Sequence, residues 1–164
     1  MDATEEAEVA IIKDMNKHML EFLSSQRVGV LSVQMLDKTP HGATVHFAHA
    51  DNPTVFIFET YREYRKCEPL YAQKDTPASF VVGFEEGQQS KTAQLDGVVS
   101  LIESGDSRVT LYLEKFPEKR EKAKGDKVVW FVFTPTWWRF TDWSEPQGKS
   151  VYLSTDATPD TADL

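Results

Sequence analysis

One cysteine, Cys67, stands in the whole chain, so no intrachain disulfide can form and a cysteine-rich zinc site is excluded. Basic residues are scarce as well: Lys and Arg total 18 against 26 Asp and Glu, and the formal net charge is -8. A surface of that sign repels phosphate backbones and anionic lipid, so neither nucleic acid nor a membrane is expected as a partner. A local basic pocket for one small phosphate stays open. Long apolar runs are missing too. The longest, Val128 to Phe133, is far short of a membrane span. The first residues are acidic (Asp2, Glu5, Glu6, Glu8), whereas a secretory leader is basic and then apolar. With cysteine usage that a reducing compartment permits, a cytoplasmic protein is the expectation. No phosphate-cradling Gly-rich loop, dinucleotide fingerprint or nucleophile elbow occurs.

What is present is apolar mass. The 164 residues include 10 Phe, 5 Tyr and 4 Trp, enough for one domain with a sizeable core. Thr4 followed by acidic residues gives a helix start, and Ile12, Met15, Met19, Phe22 and Leu23 recur at helical steps. From Arg27 the period falls to two, and three strands follow: around Val28 to Met35, Ala43 to Ala50 and Thr54 to Thr60. The turns Asp37 to Gly42 and Asp51-Asn52-Pro53 join them, which predicts an antiparallel meander. Tyr61 to Lys74 is polar and helix-compatible. Ala78 to Glu85 and Lys91 to Glu103 read as two further strands, the second bent or bulged at Gly97. Ser104 or Ser107 caps a helix carrying Val109, Tyr112, Leu113 and Phe116, which Pro117 kinks or ends. The mixed charges of Glu114 to Lys127 read as a solvated face. Lys127 to Thr134 and Trp137 to Trp143 form the last strand or strand pair, hinged at Pro135. The predicted class is mainly β (α+β), a small antiparallel barrel of roughly six strands with flanking helices. The expected division is one domain over 1–143 and a flexible acidic tail over 144–164.

Candidate chemistry concentrates at one strand exit, Phe58 to Lys66. A Thr hydroxyl, an Arg fork and a Lys ammonium clustered there suit a phosphate monoester, although an ordinary charged loop has the same composition. His46 and His49 fall on opposite faces of one strand, which disfavours a two-histidine metal site. No metal is expected. Cys67 follows Lys66 and reads as a plain helix cysteine.

Taken in order, these residues resemble the flavin-binding split-barrel family related to pyridoxamine 5'-phosphate oxidase. The stretches that carry the resemblance are ATVHFAHADNPTVFIFET, YREYRK, TAQLDGVVSLIE and TPTWWRFTDW. In the family a Thr ends the third strand and a Ser-Arg-Lys triplet follows, with Lys six residues after the Thr. Here Thr60, Arg65 and Lys66 match, and Tyr64 replaces the Ser. The resemblance spans roughly Met19 to Trp143. It implies a six-stranded antiparallel split β-barrel with flanking helices that forms a homodimer with FMN at the interface, as in the general-stress-protein branch. It also implies that Arg65 and Lys66 hold the phosphate beside Thr60. Thr44, Val45, His46 and Phe47 would line the flavin, with Glu59 near its edge and Thr92, or Gln94 nearby, contacting the ring. Trp138 and Arg139 would reach the partner subunit's flavin. A deazaflavin or haem is the alternative cofactor. The oxidase's Arg-x-His pair has no counterpart, because His49 is the last histidine, so vitamin B6 oxidation itself is not expected. The expected reaction is flavin-dependent oxidation or reduction of a small-molecule substrate, with a non-catalytic flavin carrier or sensor as the rival and no catalytic residue assigned.

Overall fold

In the computed structural model the described residues are 17–51, 53–83, 90–144 and, for the backbone, 150–153. A helix α1 over 17–25 leads into β1 (Val28–Gln34), β2 (Pro40–Asp51) and β3 (Thr54–Tyr61). A 3-10 turn (Arg65–Cys67) and the short helix α2 (Glu68–Ala72) follow, then β4 (Thr76–Val82) and β5 (Lys91–Ile102). Helix α3 (Arg108–Lys115), a second 3-10 turn (Pro117–Lys119) and α4 (Arg120–Ala123) precede β6 (Val128–Asp142) and β7 (Ser150–Leu153).

Every strand pairing is antiparallel, in the order β3-β2-β1-β4-β5-β6-β7, and a further β3–β6 ladder closes the first six strands into a barrel. The mainly β split barrel with flanking helices is therefore the architecture. Closure removes the sheet's free edges, and inward side chains fill the interior. Phe47, Phe56, Phe58, Phe80, Phe131, Phe133 and Phe140 form that interior with Leu31, Val33 and Leu95. Met19 and Leu23 of α1 join the same core, and Phe22 lies 5.5 Å from Phe140. A second core lies outside the barrel wall, where Val109, Tyr112 and Phe116 cover Ala48, Ile57, Trp130 and Val132.

The strand alternation predicted both faces well, and one expectation shifts. The last strand is a single strand through Pro135, and its hinge is a β-bulge: Asp96 pairs with Trp137 and Gly97 with Pro135, which leaves Thr136 of β6 as the extra residue. A Cβ on Gly97 would stand 2.1 Å from the Thr134 carbonyl oxygen, so only glycine allows this approach. Within the expected tail, Ser150–Leu153 pairs with β6; Thr4 to Met15, Glu86 to Gln89 and the remainder of the tail lie outside the described residues.

Candidate functional site

The barrel is split along β2. Its first half pairs with β1 alone, from Pro40 to His46, and the ladder to β3 begins at Phe47. In antiparallel pairs the hydrogen-bonding residues alternate. Phe47 donates its N–H to the Arg27 carbonyl at 3.2 Å, on the β1 side. That phase turns the peptide groups of Thr44 and His46 toward the gap. Val45 and Phe47 send their side chains into the barrel core, at 5% and 0% exposure. Their peptide groups share the phase that faces β1, so of the four expected positions Thr44 and His46 are the ones that present backbone to the gap. Thr44 is exposed, and the half-buried His46 ring stands edge-on to Phe116 at 5.3 Å. Burial first, then Lys119 and Arg27, hold the His46 imidazole below its ordinary pKa, so it is neutral.

The 3-10 turn carrying Arg65 and Lys66 touches β2. Arg65 is exposed and close enough to Asp37, in the β1–β2 turn, to favour that carboxylate. Lys66 differs sharply: the residue is only 7% exposed, and its Nζ lies 4.6 Å from the Tyr64 ring centroid. Among the described residues no carboxylate is in ion-pair range of it, and burial lowers its pKa. Thr60, on the preceding strand, is buried. Cys67 is fully buried, its thiol pushed up by burial and directed at the Tyr61 carbonyl at 3.5 Å, so it is no reactive nucleophile.

Glu59 does not join this group. Its side chain, 2% exposed, points to the helix side of the wall. Lys122 makes an ion contact with Oε1, and Lys119 Nζ is 3.5 Å from Oε2. Tyr112 donates its O–H to Oε2 at 3.4 Å and accepts from Lys119 at 2.8 Å. The charge run from Glu114 to Lys127 is thus not a wholly solvated face, since Lys119 and Lys122 turn inward to a carboxylate contributed by β3. Their spacing to Glu59 in sequence carries no local signal, so composition could not reveal the cluster.

Thr92, Gln94 and Arg139 lie elsewhere on the barrel. Thr44, Val30, Val81, Gln94 and Arg139 occupy one cross-strand row on the outer surface. Along the sheet through β1, β4 and β5, four strand spacings, a contour of roughly 19 Å, lie between Thr44 and Arg139, whereas through the β3 closure β2 and β6 are two strands apart. Thr92 stands one outward position from Gln94, opposite Thr141. Trp138 points the other way and packs against the barrel core. The expected residues therefore fall in two places, the β2 gap near Arg65 and Lys66 and the outer β5–β6 surface with Gln94 and Arg139. Clefts of about 470 Å³ (beside Arg62, Tyr71 and Trp130) and about 430 Å³ (beside Gln34, Lys38 and Asp96) include none of the expected site residues.

Solved structures share this arrangement. A protein related to general stress protein 26, of the pyridoxinephosphate oxidase family, from Clostridium acetobutylicum aligns at 13% identity over 85% of this chain and 94% of its own, with TM-score 0.62. The haem storage protein HutZ of Vibrio cholerae aligns at 14% identity over 74% and 89%, with TM-score 0.61. A haem-binding protein of Mycobacterium smegmatis aligns at 13% over 84% of this chain and 57% of its own, with TM-score 0.64. At such identities the likeness is one of fold. No curated protein sequence matches. The family model described as pyridoxamine 5'-phosphate oxidase matches residues 15–142, and with the split barrel and its gap this shows that the chain belongs to the pyridoxamine 5'-phosphate oxidase family.

Proposed function

We propose that the chain binds FMN along the open half of β2, with the phosphate held by Arg65 and Lys66 and with Thr60 beside them, and that it acts as a flavin-dependent oxidoreductase on a small molecule. The observation that carries this is Lys66. Burying an ammonium with no carboxylate in contact is costly even with Glu59 in longer electrostatic reach, and a phosphate monoester at its Nζ would supply a contacting anion. Arg65, whose guanidinium has no hydrogen-bond partner among the described residues, adds a bidentate fork. The Thr44 and His46 peptide groups, turned into the gap, suit the polar edge of a planar ring. Bound flavin supplies the electron-transfer chemistry, and the protein's part is to anchor and orient it.

The two surfaces suit a homodimer in which a second copy would bring Arg139 and Thr92 to the β2 gap. Val28, Val30 and Val81 line the outer surface between them, at 39%, 46% and 39% exposure, an apolar stripe that a partner would cover. A second reading is haem, favoured by the neutral His46 imidazole at the gap and by the haem-binding proteins that share the fold. The absorption spectrum of the purified protein separates the two, with flavin bands expected and a Soret band favouring haem. A deazaflavin would show its own shifted band, and reduction of bound flavin by a nicotinamide no faster than free FMN would favour a carrier or sensor. Replacing Arg65 and Lys66 by Ala should weaken FMN by about ten- to a hundredfold for each lost contact and leave riboflavin, which lacks the phosphate, unchanged. Equal weakening of both ligands would remove the phosphate assignment.

A further inference from the structure

At the end of the barrel that α1 covers, three residues stand in an order that the flavin site does not use. Ser24 lies in the last turn of α1, on its exposed side, while Leu23 beside it anchors the helix in the core. His49 is on β2, with the inward parity of Val45 and Phe47, and its ring lies 6.2 Å from that of Phe56. Asp51 ends the same strand. The Ser24 Oγ to His49 Nε2 distance is 3.1 Å, and Asp51 Oδ1 is 2.9 Å from His49 Nδ1. The imidazole is buried, its side chain 8% exposed, whereas Asp51 is 67% exposed. The carboxylate stands at contact distance but off the line of the ring N–H, so it orients the imidazole by charge more than by an aligned hydrogen bond.

We propose that Ser24, His49 and Asp51 form a serine nucleophile site, separate from the flavin edge, that is acylated by small activated carboxylic esters. With the ring proton on Nδ1 facing Asp51, Nε2 accepts the Ser24 O–H. The Ser24 oxygen attacks the ester carbonyl carbon as its proton passes to Nε2. The C–O bond to the leaving alcohol breaks, and the alcohol takes that proton. Water, activated by the same Nε2, then cleaves the acyl–Ser24 bond, which releases the acid and restores the hydroxyl. No electrons change hands, and water is the only co-reactant. Burial is the main cause that keeps His49 unprotonated in the neutral range, as a general base must be. Two charged groups face the imidazole: Asp51 from β2, and Lys115 from α3. The Lys115 ammonium, which donates to the Gln26 carbonyl, also disfavours protonation of the imidazole. Ser24 is exposed among the described residues, so its hydroxyl is accessible to an ester from solution.

The test uses a fluorescent fluorophosphonate, which phosphonylates only activated serines, and p-nitrophenyl acetate. The full-length protein should be labelled at Ser24, as located by peptide mass spectrometry, and Ser24→Ala should abolish labelling and acetate release. His49→Gln should slow labelling at least about a hundredfold, the usual contribution of a general base. Because His49 is buried and that variant could misfold, the exposed Asp51→Asn is the second arm. Asp51 is a positioning residue, and its loss should slow labelling about tenfold and move the pH midpoint of labelling downward, with thermal stability unchanged. Labelling that persists in Ser24→Ala, falls on another serine or fails in the wild type would overturn the proposal. So would an Asp51→Asn variant with the wild-type pH midpoint. Those results would leave the three residues as a clasp holding α1 on the barrel.

Discussion

Glu59 and Lys66 are buried charges seven positions apart, and the protein treats them oppositely. Glu59 is enclosed by two ammonium groups and a phenol, so its charge is compensated within the chain. Lys66 is nearly as buried, yet its ammonium contacts a Tyr ring and no carboxylate among the described residues, with Glu59 acting on it only at longer electrostatic range. A desolvated charge is retained in a stable fold when it is paired or when it awaits a ligand. The first clamps the 3-10 turn and α4 onto the barrel, and the second has the character that the proposed phosphate site requires. Glu59 is consequently a poor candidate for the flavin's edge and a strong one for structural integrity.

The comparison can be broken most forcefully at Glu59. Glu59→Gln keeps the shape and strands Lys119 and Lys122 without an acid. Removing one member of a buried pair typically costs 3–5 kcal/mol, and partial exposure of the two lysines reduces this to about 3 kcal/mol. Urea unfolding of the ligand-free protein measures it, and a cost below about 1 kcal/mol would mean that the clamp is not structural. Lys66→Met should do the reverse. Without ligand it removes an ammonium with no carboxylate in contact and should leave stability unchanged or raise it by about 1 kcal/mol. With FMN, the stabilisation by the ligand should shrink as binding weakens about tenfold or more. If Lys66→Met destabilised the ligand-free protein as much as Glu59→Gln, the contrast between the two residues would be lost.

The legible and illegible parts of the chain divide along sequence distance. Alternation of small and apolar residues in Val28 to Gln34 and Thr76 to Val82, and the turn chemistry around Pro53, are local, and they located the strands. The glycine at 97 announced the bulge, because a glycine in a strand interior has few other uses. The order of motifs from Thr44 to Arg139 carried the family and, through it, the barrel. What stayed hidden depends on which surfaces the folded chain turns toward one another. Nothing in Lys119 or Lys122 says that β3 will place a carboxylate under them. Ser24 and His49 are 25 positions apart and meet only because α1 folds back over the barrel end. The separation of Thr44 from Arg139 followed from strand order, which sequence reading left unassigned.

Lys115 falls between the two extremes and tests the comparison most finely. It has no carboxylate partner among the described residues, but it donates to the Gln26 carbonyl and lies 4.5 Å from the Phe47 ring centroid. Burial, aided by the neighbouring Arg27, lowers its pKa to about 8. Below pH 8 both the folded and unfolded forms carry the charge, and the folded state bears its desolvation. Between pH 8 and the unfolded lysine's 10.5, the unfolded chain holds a proton that the folded one has shed, so stability climbs with pH. Tyr112 acts in the opposite sense. Burial and then Glu59 raise its pKa well above 10, so above that pH the unfolded tyrosine ionises first and stability falls. For these two groups the rise and the fall cancel at about pH 10, where the unfolding free energy should peak. Because Lys115 is only partly buried, its share of the rise is discounted to about 1 kcal/mol. Lys115→Met should flatten the climb by that amount and keep the fall above pH 10, as read from urea midpoints at pH 7, 9 and 10.5. An unchanged climb would mean that the carbonyl and ring satisfy the ammonium fully, and Lys115 would then stand with Glu59 rather than with Lys66.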